Sequence, residues 1–217
     1  MLGELLHSLS QPLTGLRCSL ELSLQLPLDR SIEEVTEQQQ ASVSAALQQT
    51  EEVIGMIQLM REYLDAEQPE PQAFLSALAP AMRSVIEELS SIAAVRGVRL
   101  RLVGTCTAAL PVPESRLRLA LQYLIATMIE AQLVGGRVML LLGEGPAGAV
   151  LRVEGEHGFQ QQKPSATSPQ ITLRRARIAI ASRVLESAGA SLVFGGGDID
   201  PTGFVLRIPR PVASAAR

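Results

Sequence analysis

The residue best placed for chemistry in this sequence is His7, within the run LHSLSQPLT at 6–14. A neutral imidazole is a competent nucleophile near pH 7. A lone histidine on a helix is also commonly a plain surface residue, and that interpretation stands beside the chemical one. The other histidine, His157, lies in a polar stretch, and we assign it no chemistry. The two cysteines, Cys18 and Cys106, are far apart, so we expect no metal site.

The element that must position His7 is a helix. Its leucines recur at alternating steps of four and three, at positions 2, 6, 9, 13, 16 and 20, and Leu24 adds a further step of four. This spacing is typical of a helix that packs against other helices. We expect the helix to run from about Leu2 to Leu26 and to bend at Pro12, whose ring presses on the carbonyl of Ser8.

A second long helix is predicted after a short turn at 26–31. Its apolar residues again follow a three-four rhythm: Val43, Ala46, Leu47, Val53, Ile54, Ile57, Met60 and Leu64. Two antiparallel helices of this kind expose a continuous apolar face. We therefore predict a homodimer that forms a four-helix bundle. The alternative is that the rest of the chain covers this face.

The polar, proline-rich stretch 67–72 predicts a hinge between a domain at 1–68 and a domain at 73–211. The second domain has patterns for helices and strands and a polar loop at 158–169. The predicted helices are 73–95, 114–133 and 172–188, and the predicted strands are 98–103, 109–112, 137–142, 149–154, 190–194 and 203–208. The fold class is α+β: a helical hairpin followed by a two-layer α/β sandwich.

Composition excludes several function classes. The 217 residues are 47% hydrophobic, enough for a packed core. The net charge of -3 indicates no basic surface for nucleic acid, and the aromatic content of 3% indicates few residues that could stack on bases. No apolar stretch is long enough to span a membrane, and no signal-peptide pattern follows Met1. We expect a cytoplasmic protein with reduced thiols.

The run that begins at His7 resembles the phospho-acceptor box of sensor histidine kinases. That box reads His, usually an acid, two variable residues, often Thr, Asn or Gln, and then Pro-Leu. Gln11, Pro12 and Leu13 stand at the matching offsets, whereas Ser8 stands where the family has its acid. In the family the acid helps to draw the proton from the imidazole when ATP is attacked. The resemblance thus leaves open transfer from an already phosphorylated partner. The order of elements after 73 is similar to the family's ATP-binding domain.

The same resemblance locates the family's nucleotide site, where this sequence differs. The two Asn that serve magnesium and phosphates in the family fall on Tyr123 and Thr127, which are poor ligands for a hard cation. The family's Asp-x-Gly-x-Gly falls on EGEHG, so Glu154 stands for the acid, Glu156 for the first glycine and Gly158 for the second.

The family's second glycine motif, Gly-x-Gly-Leu, falls on RARI, which places Arg175 and Arg177 at its glycines. Side chains there obstruct the main-chain amides that cradle phosphate. We therefore expect no nucleotide cofactor. Together with Arg174 these arginines have other uses: they could bind phosphate through their own forks, form a solvated helix face, or dock an acidic partner.

The resemblance and the residues together predict a histidine phosphotransferase of a two-component phosphorelay. His7 would take a phosphoryl group from the aspartyl phosphate of a response-regulator receiver domain and pass it to another, without ATP. The receiver brings its own acidic pocket and magnesium, so this chain supplies an imidazole and a docking surface. The expected docking residues are Thr14, Arg17, Cys18 and Glu21.

Three other functions stay open at this point. The first is an active ATP-dependent histidine kinase, or the cytoplasmic portion of one. The second is a receiver phosphatase in which Gln11 orients the hydrolytic water through its amide. The third is a non-enzymatic dimeric scaffold that occupies a regulator or a kinase.

Overall fold

The computed structural model describes residues 2–24, 32–66, 75–156, 169–196 and 202–210. The chain divides into two compact units. One comprises Met1–Asp65 with Thr167–Ala176, and the other comprises Ala66–Ala166 with Arg177–Arg217. The predicted turn at 26–31, the hinge at 67–72 and nearly all of the polar loop at 158–169 lie outside the described residues. The domain limits at 1–68 and 73–211 stay predictions.

The first unit is built on two long helices, α1 (Leu2–Leu24) and α2 (Ile32–Ala66). Helix α1 continues through Pro12, and the bend predicted there stays a prediction. The two helices approach closely at Gly15, where a Cβ atom would lie 2.5 Å from the Nε2 atom of Gln49. The glycine leaves room for the Gln49 side-chain amide against α1.

The structure divides the predicted leucine seam of α1 into two faces. Pro12 is buried and Leu9 and Leu16 are half-buried, on the side of the helix that packs on α2. A second set lies beside this side, exposed and spaced seven residues apart: Leu6, Leu13 and Leu20. A seven-residue repeat keeps these leucines in line along the helix.

Helix α2 is divided in the same way. Ala46, Met56 and Leu59 are buried. Five large aliphatic residues on the other side are exposed: Val43, Leu47, Ile54, Ile57 and Leu64. We call these five residues, together with Leu6, Leu13 and Leu20, the exposed apolar rows. They present a long aliphatic surface that no other described residue covers.

The second unit is a mixed sheet with helices packed on one face. Its elements, together with the helix that begins in the first unit, are β1 (Ser76–Ala77), α3 (Leu78–Val95), β2 (Arg99–Gly104), β3 (Ala109–Leu110), α4 (Glu114–Glu130), β4 (Arg137–Gly145), β5 (Gly148–Glu156), α5 (Pro169–Ser187), β6 (Ser191–Gly195) and β7 (Gly203–Pro209). Five strands form one sheet in the order β2-β4-β5-β7-β6, and β1 pairs with β3 separately. Only β2 and β4 run parallel; the other pairs are antiparallel.

The predicted fold class is confirmed, with corrections at element ends. The helix predicted at 73–95 begins only at Leu78, because Ser76 pairs with Leu110 and its hydroxyl donates to the carbonyl of Val112 at 2.6 Å. Pro80 then falls in the first turn of α3, where its missing N–H costs nothing. Helix α4 ends at Glu130, not 133, and α5 runs from Pro169 to Ser187 rather than from 172 to 188.

Alternation along the strands separates the two faces of the sheet. Val138, Leu140 and Leu142 of β4 are buried, as are Leu151 and Val153 of β5. Contacts of α3 with β2 and of α4 with β5 place these residues under the helices. Burial of this inner face is the main source of stability of the second unit.

A carboxylate ties the chain after β2 to the end of β4. The backbone N–H of Thr107 donates to Glu144 Oε2 at 2.9 Å, and the Thr107 hydroxyl donates to the same carboxylate at 3.0 Å. The backbone donor, followed by the hydroxyl, lowers the pKa of Glu144 below 4.5, and the more distant Arg210 lowers it a little further. Hydrogen bonds accepted by an ionised carboxylate stabilise the fold only while the carboxyl group remains ionised.

We expect Thr107→Val to lower thermal stability slightly near neutral pH and to have no effect in acid. The variant loses the hydroxyl bond, so the folded-state pKa of Glu144 moves back towards 4.5. A carboxyl group whose pKa is lower in the folded than in the unfolded state stabilises the fold at pH values above its unfolded pKa. This contribution is lost as the pH falls through its folded pKa. In melting temperatures measured from pH 7 down to 3, the difference from wild type should begin to shrink below about pH 4.5 and vanish below the folded-state pKa of Glu144. Thr107→Ser is the control that keeps the hydroxyl, and a pH-independent difference would contradict the assignment.

Candidate functional site

Five of the six residues predicted for chemistry or docking lie on one side of α1. His7, Gln11, Thr14, Cys18 and Glu21 follow one another at steps of four, three, four and three, so they share a helix face. All five are exposed. We call this face the polar stripe. It runs beside the row of Leu6, Leu13 and Leu20 and away from the side that packs on α2.

The backbone under the polar stripe is interrupted next to His7. Pro12 has no N–H, so the carbonyl of Ser8 lacks its usual helical donor. Two residues later the Thr14 hydroxyl donates to the carbonyl of Ser10 at 2.7 Å. Such back-bonding by threonine often bends a helix. The imidazole therefore stands one turn before a locally altered backbone, on an exposed and otherwise regular helix.

Arg17 lies at the edge of the polar stripe. Its Nε atom donates to Glu21 Oε1 at 2.7 Å, and the two side chains are 79% and 51% exposed. An exposed pair of this type contributes little to stability and reorients easily. The guanidinium and the carboxylate are both available to a docking protein. No described residue forms a hydrogen bond or ion pair with the His7 imidazole, and Cys18 carries a free, exposed thiol.

The positions predicted to correspond to a nucleotide site lie mainly in the second unit. Thr127 is 1% exposed, and its hydroxyl donates to the carbonyl of Tyr123 at 2.8 Å. Because this hydroxyl is buried, a hydrated cation cannot reach it. Tyr123 itself is half-buried on the neighbouring turn.

Arg177 fills the space beside Tyr123. Its guanidinium carbon lies 6.0 Å from the centre of the Tyr123 ring, and its Nη1 atom lies 3.0 Å from Glu130 Oε1. Both charged side chains are about one-third exposed. The Arg177 guanidinium thus contacts both the Tyr123 ring and the Glu130 carboxylate, which use part of its binding capacity. We call them the Arg177 cluster. Glu130 was not singled out from the sequence, although it stands seven residues after Tyr123 and so on the same helix face.

The structure does not bring Glu154 to this cluster. Glu154 is 52% exposed and lies 3.4 Å from Arg152, two residues earlier on the face of β5 that points away from the helices. The side chain of Glu156 is not described, and Gly158 lies outside the described residues. Arg175 is exposed and belongs to the first unit, whereas Arg177 belongs to the second.

The helix side of β5 beside Glu154 carries Gly155, and Gln132 packs there. A Cβ atom on Gly155 would overlap the Gln132 side-chain amide. Gln132 is 8% exposed, and neither its Oε1 nor its Nε2 has a hydrogen-bond partner among the described residues. The amide therefore occupies the space that a side chain at 155 would need. The sequence carried no signal for this contact, because the two residues are 23 positions apart.

Gly155→Ala should destabilise the second unit by about 1 kcal/mol, because the added methyl group must displace the buried Gln132 amide. The same substitution should cost clearly less in a Gln132→Ala background, where the obstructing amide is gone. Urea unfolding of the two single variants and the double variant gives the coupling free energy. Additive effects would mean that Gln132 does not occupy this space.

Two negative findings apply to the described ranges only. None of the helices in them is long and apolar enough to cross a membrane. Within the same ranges, no group of three or more His, Cys, Asp or Glu side chains is arranged to hold a metal ion.

Comparison with known proteins shows the fold. No protein-family model matches the sequence, and no curated protein sequence matches it. The structure is similar to the Acinetobacter baumannii histidine kinase AdeS, with a TM-score of 0.66, 13% identity, and coverage of 95% of this chain and 98% of that chain. It is also similar to full-length ShkA in complex with AMPPNP, with a TM-score of 0.53, 16% identity, and coverage of 99% of this chain and 47% of ShkA. The chain thus has the fold of histidine kinases, a helical hairpin followed by the α/β domain.

Proposed function

We propose that this chain is a histidine phosphotransferase of two-component signalling, with His7 as the phosphoryl carrier. The observation that carries the proposal is the polar stripe, which begins with the exposed His7 imidazole and ends at the exposed ion pair of Arg17 and Glu21. The fold shared with AdeS supports it, because its helical hairpin has the same general architecture.

The reaction needs little from this chain beyond position. A ring nitrogen of His7 attacks the phosphorus of an aspartyl phosphate on a receiver domain, the bond from phosphorus to the aspartate oxygen breaks, and the imidazole loses a proton to water. The reverse step returns the phosphoryl group to a second receiver. The receiver supplies magnesium and charge neutralisation, so alignment is the contribution of α1.

Thr14, Arg17, Cys18 and Glu21 are the proposed docking residues. They continue the polar stripe for about four turns beyond His7, so a receiver seated over the imidazole would also cover them. Arg17 can leave Glu21 and pair with an acidic rim on the partner. Charge contacts of this type set the rate of encounter more than the final affinity.

ATP is not part of the proposed function. The fold family implies a nucleotide, but the residues do not fit one. Thr127 is buried and bonded within α4, the Arg177 cluster fills the neighbouring space, and Gln132 occupies the site beside Gly155. The proposed reaction therefore uses no nucleotide.

We further propose that two copies of the chain form the functional unit. The exposed apolar rows extend along both helices, and an isolated hairpin leaves them in water. Pairing two hairpins into a four-helix bundle buries these rows. Aliphatic surface of this extent stabilises association by about 25 cal/mol per Å² removed from water.

The test uses a panel of receiver domains phosphorylated with a labelled small-molecule phosphodonor. We expect the label to move to the full chain from at least one receiver and to be acid-labile and base-stable, as a phosphohistidine is. Labelled ATP with magnesium should leave the chain unlabelled. Labelling by ATP alone, or no transfer from any receiver in a complete cognate panel, would overturn the proposal.

A receiver phosphatase is the second candidate function, because Gln11 is exposed one turn from His7 on the same face. Its amide can orient a water for attack on the receiver's aspartyl phosphate. This activity predicts faster loss of receiver phosphate that survives His7→Ala and disappears in Gln11→Ala. The opposite pattern assigns the loss to transfer through His7.

A further inference from the structure

The five-stranded sheet has a second face that no described helix covers. Alternate side chains on each strand point away from α3 and α4, and one register row of them crosses all five strands. That row is Val103, Leu141, Arg152, Val205 and Val193. We call this row and the outward residues on either side of it the outer sheet face.

The outer sheet face has the composition of a surface that is normally covered. Val103, Leu141 and Val193 are 41%, 37% and 55% exposed, and Val150 in the next row is 37% exposed. Val103 and Leu141 lie on β2 and β4, the parallel pair. Sheets that leave one face in water normally carry polar residues on that face. The exposed aliphatic side chains on this pair therefore form an apolar patch of the kind that binds a partner.

A cavity of about 350 Å³ opens on the same face. Arg152, Glu154 and Val205 form part of its wall, and Gly195 and Gly203 lie at neighbouring register positions on β6 and β7. The cavity provides room for one large apolar side chain beside the aliphatic row.

The charges on the outer sheet face are mainly arginines. Arg99 and Arg101 lie on the edge strand β2, and Arg207 lies on β7 beyond the centre of the sheet. All three are exposed, and in the described part of the chain none forms an ion pair or a side-chain hydrogen bond. The chain as a whole carries a net charge of -3, so this concentration is local. Guanidinium forks match carboxylates in geometry and charge.

We infer that the outer sheet face is a docking surface for an acidic amphipathic helix of a partner protein. Apolar side chains of that helix lie over Leu141 and the cavity, and its flanking carboxylates pair with Arg99 and Arg101. A helix there adds a layer to the free side of the sheet and completes a three-layer arrangement. The outward positions of the five strands carry no aromatic residue, which disfavours a membrane surface as the occupant.

The test uses the full chain and three synthetic peptides of about 18 residues, long enough to form a helix when bound. One has leucine and glutamate in a heptad pattern, one has the same composition scrambled, and one has lysine in place of glutamate. We expect the acidic amphipathic peptide to bind at least about tenfold more tightly than either control peptide, and more weakly in high salt. Amide shifts in NMR spectra should concentrate in β2, β4 and β5.

Two outward substitutions test the surface without touching the core. Leu141→Glu and Arg101→Glu should each weaken binding of the acidic peptide at least about tenfold. Arg83→Glu is the matched control, since Arg83 is exposed on α3 and outside this face. His7→Ala should not change peptide binding. Unchanged circular dichroism shows that each variant is folded.

Several outcomes overturn this inference while leaving the proposed function intact. They are no binding of the acidic peptide at about 1 mM, equal binding of all three peptides, or binding unaffected by Leu141→Glu and Arg101→Glu. Binding of vesicles containing phosphatidylglycerol that competes with the peptide would assign the face to a membrane instead. A loss of phosphoryl transfer from receivers in Arg101→Glu would assign it to receiver docking, not to a separate partner.

Discussion

His7→Ala should abolish phosphoryl transfer from a receiver, with a loss on the order of a thousandfold or more, because covalent transfer without its nucleophile has no carrier. The imidazole is exposed and makes no bond to any described residue, so its removal should leave the fold and the thermal stability of the chain unchanged. Label on the chain, after mixing with a labelled phospho-receiver, measures the effect directly.

The controls for His7→Ala come from the same polar stripe. Cys18→Ser should reach the same final extent of labelling as wild type, because the serine keeps the size of this docking residue, and that result excludes the free thiol as the acceptor. Arg17→Ala should slow labelling, most clearly at low salt, without lowering its final extent, because it removes a steering charge and not the acceptor. Equal labelling of His7→Ala and wild type would end the case for His7.

Leu13→Asp should convert the chain from a dimer to a monomer. Leu13 is 48% exposed at the centre of the row with Leu6 and Leu20. In the proposed bundle the variant buries one carboxylate from each copy among aliphatic side chains, which costs several kcal/mol. The dissociation constant of the dimer should rise by more than about a hundredfold. Sedimentation equilibrium at micromolar concentration measures this rise.

Thr14→Asp is the matched control for Leu13→Asp. It places the same charge one residue further on, within the exposed polar stripe. Its mass in solution should remain that of the wild-type protein. A wild-type chain that sediments as a monomer, or a Leu13→Asp variant with unchanged mass, would contradict the dimer.

The sequence predicted the helical hairpin well because leucine periodicity reports helices directly. It could not assign the leucines to faces. Leu9 and Leu13 both satisfy the three-four spacing, yet the first packs towards α2 and the second is exposed. Which leucines face α2 depends on how the two helices pack on each other, and that is a property of tertiary structure.

The strands were predicted with small errors, whereas the contacts around the positions compared with a nucleotide site could be predicted only in part. The side of β5 on which Glu154 lies could have been predicted, since it alternates with the buried Leu151 and Val153. The contacts of Gln132 with Gly155 and of Glu130 with Arg177 could not, because each joins segments far apart along the chain. Pro80 could have indicated that α3 begins near Leu78, because proline is tolerated in the first turn of a helix.

The order of strands in the sheet has a consequence for how this protein is made. Strand β7, the last along the chain, lies inside the sheet between β5 and β6, and β6 pairs with no other strand. A ribosome must therefore release nearly all of residues 75–210 before the second unit can close, whereas α1 and α2 emerge first and can pair early. During that interval the nascent protein carries its aliphatic strands without their final neighbours. A chain that ends before Gly203 lacks β7, so its other strands stay partly unpaired. Chaperones and proteases recognise such incompletely folded chains.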